Sequence, residues 1–211
     1  MSTSGRSCGG RALAIAGAAL AVSLVAPASG LAVKKFGADL RNSNGTVRQP
    51  NVSINGDSCH DADSSLGSSR CTRVAVNFDR AAQDNKKAPR DGRLKKLKLV
   101  ASGPGQFVPY LARARDIDGN GGKARLRKKG ATIHYDGDHN APYTIESFPF
   151  HQRVKKGDYL GIKATRTSAL SCTSGGVRQL LFEPPLPFGG SLQHSDGTDD
   201  CVLLLQAVYR R

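Results

Sequence analysis

Tryptophan is absent from this chain of 211 residues, methionine occurs once, and Phe, Trp and Tyr together make up only 6%. The missing Trp removes the usual platform for stacking on a neutral sugar ring, leaving Tyr110, Tyr135, Tyr143 and Tyr159 as substitutes. Acids are also scarce: 17 Asp and Glu against 31 Lys and Arg, for a formal charge of +14. That balance excludes an acidic solvating protein, and 38% apolar residues is too many for simple disorder. Outside the first segment no apolar run approaches the roughly 20 residues that span a bilayer as a helix. No window keeps a 3.6-residue apolar stripe for three turns, which argues against long helices. There is no C-x-x-C zinc knuckle and no G-x-S-x-G nucleophile elbow.

What is present begins with an export signal. Arg6 and Arg11 form a positive start without an acid, residues 12–25 are apolar apart from Gly17 and Ser23, and Ala26-Pro27-Ala28 places small residues where a signal peptidase reads them. Residues 1–28 are therefore expected to be removed and the protein to be secreted, extracellular or envelope-associated. The non-adjacent arginines do not fit a twin-arginine route, and the residues before Cys8 do not fit a lipoprotein anchor. Cleavage leaves 211 − 28 = 183 residues and, with two Arg gone, a charge of +14 − 2 = +12. Four cysteines remain: Cys59, Cys71, Cys172 and Cys201. In an oxidising compartment an even number reads as two disulfides. Three pairings are open to four cysteines; proximity favours Cys59–Cys71 and Cys172–Cys201.

Residues 29–70 are rich in Asn, Ser, Gly and Asp, with singly placed apolar residues, and are expected to form a polar leader that packs loosely. The acceptor triplets at Asn44 and Asn51 fall there and arise readily by composition. From residue 71 the texture changes to short runs of period two separated by Gly, Pro, Asp and Asn. Val74 alternates with Val76, and Leu97 with Leu99 between Lys96 and Lys98. About eight such runs at regular spacing predict one all-β domain over residues 71–211, an antiparallel β-sandwich of jelly-roll type.

Residues 154–162, VKKGDYLGI, carry a V-x-x-G-D-x-hydrophobic-G pattern. This resembles the approach to a late strand in many jelly-roll and carbohydrate-binding-like sandwiches. Together with the signal peptide and the Leu-rich C-terminal strand, the chain resembles exported actinobacterial β-sandwich proteins of unknown function. The resemblance implies a fold and no particular activity.

Three polar constellations invite a chemical reading. Asp116, Asp118 and Asn120, with Gly121 at the sixth position, open like a calcium loop, in which alternate oxygens converge on one hard cation. Position twelve is Arg127, where such a loop needs a bidentate Glu, so a hairpin turn is the competing account. A carbohydrate-binding module assisted by Ca2+ at these three residues is the alternative function. His134, Asp136, Asp138 and His139 could ligate a metal or form an acid–base pair, but Asp-Gly-Asp is first an ordinary turn. Residues 52–58, VSINGDS, resemble the nucleophile block of the Gly-Asp-Ser esterases, and Asp136 to His139 has their acid–base spacing. That family needs an α/β scaffold with the acid–base block near the C-terminus, and this chain departs from it on both counts. A non-catalytic role is expected.

The bases carry the strongest functional signal. Seven of the thirteen residues from 86 to 98 are Lys or Arg, with Asp91 the single acid, and five of the seven from 123 to 129 are basic. In a strand Lys123, Arg125, Arg127 and Lys129 share one face, with Ala124 and Leu126 on the other. A hairpin of 107–115 with 123–129 would bring Arg113 and Arg115 near them, and like charges across strands are destabilising. Asp116 and Asp118, an offset register, or an external anion would have to offset the repulsion. The expected function is binding of an anionic polymer, whether wall polymer, anionic polysaccharide or extracellular DNA, through Lys95, Lys96, Lys98, Arg125, Arg127 and Lys129.

Overall fold

The structure, a computed structural model, describes residues 34–50, 52–54, 71–77, 86–163, 170–173 and 178–210. The chain divides into a short unit, Met1–Gly30, and the body, Leu31–Arg211, and every described residue belongs to the body. Among the described residues there is no helix. The protein is all-β, as the period-two runs predict, and its strand ladders are antiparallel.

The described residues of the body form three sheets. The first has the order β1 (Lys34–Gly37), β16 (Leu205–Arg210), β4 (Gly92–Leu99) and β8 (Glu146–Pro149), with β9 (Arg153–Val154) also against β4. The second runs β13 (Gln193–His194), β6 (Gly121–Lys129), β5 (Gly105–Asp118), β10 (Asp158–Lys163), β3 (Thr72–Val76), β12 (Arg178–Phe182) and β14 (Gly197–Asp199). In the same sheet β7 (Ile133–Tyr135) pairs with β5. The third holds β15 (Val202–Leu203), β11 (Leu170–Thr173) and β2 (Val52–Ile54).

Alternation decides which residues meet between the first two sheets. Leu94, Leu97 and Leu99 of β4, Ala207 and Tyr209 of β16 and Phe36 of β1 pack into one core with Phe107 and Leu111 of β5 and Leu160 and Ile162 of β10. The second sheet is apolar on its other face as well. There Val74, Val76, Tyr110, Ala112, Ala124, Leu126, Tyr159 and Leu180 gather with Leu186 from the segment after β12. Each large side chain so buried stabilises by about 1.5–3 kcal/mol, so two-faced burial explains the near-continuous apolar runs in β3 and β10.

The loose packing expected of residues 29–70 needs correcting at its start. β1 completes the edge of the first sheet, and Phe36 lies edge-on to Tyr209 with ring centroids 5.9 Å apart. Phe36, Ala38 and Leu40 are all buried. Only Gly37 and Asp39 separate these three, a pattern too short to stand out beside the long polar stretch after it. Residues 55–70 lie outside the described residues.

Cys172 and Cys201 form a disulfide across a separation of 29 residues, with Cα atoms 5.5 Å apart, the pairing that proximity favours. Cys71 is also disulfide-bonded and fully buried. Cys59 lies outside the described residues.

Candidate anion-binding surface

Strand β4 explains how three lysines reach one surface. Leu94 and Leu97 both enter the core although they stand three apart, so strict alternation would turn one of them outward. The ladder with β16 resolves this by a bulge. Tyr209 faces Leu94 and Val208 faces Lys96, which leaves Lys95 as the extra residue. Lys95 and Lys96 are consequently both exposed, and Lys98 is half-buried. On the far side of β16, Lys35 of β1 is opposite Val208, so Lys35, Val208 and Lys96 form a cross-strand row. Arg210 follows on β16, opposite Arg93.

These side chains line a groove of about 500 Å³ formed by Lys35, Lys95, Lys96, Lys98, Val208 and Arg210. No acid lines it. Among the described residues none of its five cations has an ion-pair partner. Asp91, the one acid in the basic run, faces elsewhere: it accepts from the backbone N–H of Lys156 at 2.7 Å and pairs with Lys155 Nζ at 3.0 Å. Lys98 registers the crowding. Burial first, then the charges of Lys96, Lys35 and Arg41, pull its ammonium below the ordinary lysine range.

The second basic run behaves differently. The hairpin of β5 and β6 forms as expected, with Arg113 opposite Arg125 and Arg115 opposite Lys123. Ala124 and Leu126 are buried. The repulsion is offset from two directions. Asp116 pairs with Lys123 at 3.2 Å. Asp158, at the start of β10, is wholly buried; Arg127 Nη1 lies 2.6 Å from its Oδ1 and 2.7 Å from its Oδ2, and Arg113 Nη2 lies 3.3 Å away. The Lys155 N–H also donates to Asp158 at 2.8 Å. Arg127 reaches it because a bulge between Leu111 and Ala112 leaves Arg127 without a partner on β5. Arg127 thus serves the interior carboxylate, while Arg125 stays exposed beside a groove of about 400 Å³ lined also by Lys87, Arg113, Arg115 and Tyr159. Lys129 is exposed at the far end of β6, opposite Tyr110, and lines neither groove.

The acidic loops are built as turns. Asp118 Oδ1 accepts from the N–H groups of Asn120 and Gly121 at 2.8 and 3.1 Å, so Asp118, Gly119, Asn120 and Gly121 close the β5–β6 hairpin. Asp116 has φ of 51°, a left-handed conformation that Asp tolerates, where the ladder shifts register between Arg115 and Asp118. Asp138 accepts from Thr144 N–H at 2.6 Å and Thr144 Oγ1 at 2.8 Å, and these bonds hold its carboxyl below the usual range. Glu146 accepts from the N–H of Gly137 at 2.8 Å, and His134 and His139 are exposed. Among the described residues no group of three His, Cys, Asp or Glu is arranged to hold a metal ion. Ser58 lies outside the described residues.

Sequence reasoning missed three residues that shape this surface, two on it and one beneath it. Lys35 belongs to an edge strand hidden in the leader. Arg210 is the outward position of the last strand, legible from the alternation of Ala207 and Tyr209 inward. Asp158 read as a turn residue, and nothing in its neighbourhood marks it as the carboxylate that takes up Arg127.

No protein-family model, no curated protein and no solved structure matches this chain.

Proposed function

We propose that this protein is an exported, disulfide-stabilised β-sandwich that binds anionic polymer of the cell envelope and does no chemistry on it. The observation that carries this reading is the lysine groove: five cations on three adjacent strands with no acid among the described residues that line it. A sheet face loses stability with each like-charge neighbour placed directly opposite. A cluster intended only for solubility is served as well by interspersed signs. A bound row of phosphates or carboxylates instead turns each repulsion into a contact and releases counterions. Export is supported by the N-terminal pattern and by the Cys172–Cys201 bond, which suits an oxidising compartment. No helix among the described residues is long and apolar enough to cross a membrane.

The deciding experiment is binding of the oxidised, secreted protein to purified envelope polysaccharide and to duplex DNA across a salt titration. Affinity for the envelope polymer that falls linearly with log salt, and that drops for Lys95→Ser/Lys96→Ser/Lys98→Ser, is the expected result. Equal binding by that variant removes the lysine groove from the function. Binding to DNA alone would replace the envelope polymer by nucleic acid.

A further inference from the structure

The lysine groove is not an isolated feature. Lys35 lines it and also lines a smaller cleft of about 210 Å³ that contains Lys86. Lys86 is fastened to the edge of β1 by two backbone hydrogen bonds, Gly37 N–H to its carbonyl at 2.9 Å and its own N–H to Gly37 at 3.2 Å. The next residue, Lys87, lines the hairpin groove with Arg113, Arg115 and Arg125. The following one, Ala88, is tied to β10 by Ala88 N–H to Asp158 O and Gly157 N–H to Ala88 O, both 2.7 Å. Three consecutive residues therefore stitch the edge of the first sheet to the mouth of the hairpin groove. Basic side chains follow that seam from one groove to the other, and among the described residues Asp39 is the acid that lines the cleft between them.

The two ends of this track differ in chemistry. The lysine groove offers compact, rotatable ammonium charges. The hairpin groove offers guanidinium forks, which match a phosphate, sulfate or carboxylate with two parallel hydrogen bonds. Arg113 is committed within the fold and stays fixed beside the other two. Arg113 donates to Lys156 O at 2.6 Å and leans on buried Asp158. Gly157 makes room for it: φ there is +83°, and a Cβ would stand 2.6 Å from Arg113 Nη1. Arg115 and Arg125 are exposed beside this fixed group and have no ion-pair partner among the described residues.

We infer that the hairpin groove is a second anion subsite, and that a single linear polyanion lies along the seam at Lys86 and Lys87 and occupies both grooves at once. The inference rests on the proposed polymer binding and specifies its ligand: a chain long enough to reach both grooves, with anionic groups repeating along it. Linking two weak contacts through one chain raises affinity without any new contact, so chain length becomes the readout.

The test uses the oxidised protein with inorganic tripolyphosphate and long-chain polyphosphate in calorimetry, together with two variants, Arg115→Ser/Arg125→Ser and Lys95→Ser/Lys96→Ser. All four residues are exposed and outside the core, and a thermal melt of each variant checks that the fold is retained. The wild type should bind two tripolyphosphates but one long chain, with the long chain tighter by at least about tenfold. Each variant should bind one tripolyphosphate and lose most of the length advantage, with a log-salt slope shallower by about 1.4 to 1.8 for two lost contacts. Unchanged long-chain binding by Arg115→Ser/Arg125→Ser overturns the second subsite while leaving the lysine groove in place. Two long chains per protein overturn the single track. Failure of the wild type to bind either probe overturns the polymer reading itself.

Discussion

Arg127 places one guanidinium nitrogen within 2.7 Å of both carboxylate oxygens of Asp158, and that carboxylate is wholly enclosed. The pair sorts the basic residues of the hairpin by what answers them. Lys123 is answered by Asp116 and Arg127 by Asp158, whereas Arg125 and Arg115 have no acid against them among the described residues. A run that reads as uniform charge in the sequence is, in the fold, a mixture of internal partners and available cations. Only the second kind can bind something else.

Asp158 therefore holds the hairpin to β10, and Asp158→Asn should be among the most damaging polar substitutions in the protein. Breaking a buried pair by removing one partner costs about 3–5 kcal/mol, and partial solvation of Arg113 and Arg127, each about a quarter exposed, places this case near the lower bound. Urea denaturation of the oxidised protein measures it. Asp158→Leu combined with Arg127→Met should recover part of the loss; a double variant as unstable as Asp158→Asn would show that the carboxylate acts mainly through Arg113 or the Lys155 N–H.

Lys98 makes a pH prediction whose sign is set by its environment. Its folded pKa lies below the ordinary 10.5, through burial and then the neighbouring charges of Lys96, Lys35 and Arg41. The unfolded chain thus holds this proton more tightly than the folded one. The cost is fully present below the folded pKa, and stability rises with pH between the folded pKa and the unfolded value. Lys98→Gln should be more stable than wild type at neutral pH, and the difference should shrink as alkaline pH discharges the native lysine. A constant difference through the alkaline range would mean that charge is not its origin. Long-chain polyphosphate should raise the melting temperature of wild type more than of Lys98→Gln.

The Cys172–Cys201 bond closes a separation of 29 residues. Loop-closure entropy of that length corresponds to about 3–4 kcal/mol of stabilisation. Cys172→Ser/Cys201→Ser should lower the denaturant midpoint accordingly, and because both positions are buried beside the sandwich core, added packing loss pushes the effect upward. A midpoint unchanged from wild type would show that packing of β11 on β15 alone determines the local fold.

How much of this was legible in the sequence follows from what alternation can and cannot encode. Leu97 and Leu99 announce a strand because its two faces differ in polarity, Val74 and Val76 announce one as a short apolar run buried on both faces, and the all-β sandwich follows. Bulges are invisible to the same rule. Leu94 and Leu97 break period two, and only the pairing with Tyr209 and Val208 shows that Lys95 is the residue left over. The lysine groove was half legible for a related reason. Lys95, Lys96 and Lys98 are neighbours in sequence, but Lys35 and Arg210 join them through β1 and β16, which come from opposite ends of the body. Asp158 was hidden because a turn residue and a buried counter-ion have the same local sequence. What distinguishes them is an arginine 31 positions away.

Asp118 separates the turn account of the acidic loop from the metal account. Its Oδ1 accepts two backbone N–H groups of the hairpin turn, an acceptor role that the carbonyl oxygen of asparagine fills equally well. Asp118→Asn should therefore lie within about 0.5 kcal/mol of wild type, the usual scale of a neutral surface change. Asp118→Ala, which removes the acceptor from two turn donors, should cost about 1 kcal/mol, comparable to loss of a helix cap. A calcium site predicts another ranking, since hard cations favour ionised carboxylates over amides. There Asn would be nearly as harmful as Ala, and calcium would raise the melting temperature of wild type alone. With Asp116 already paired to Lys123 and Arg127 turned to Asp158, the expected result is the first ranking, with melting curves that superimpose in calcium and in chelator.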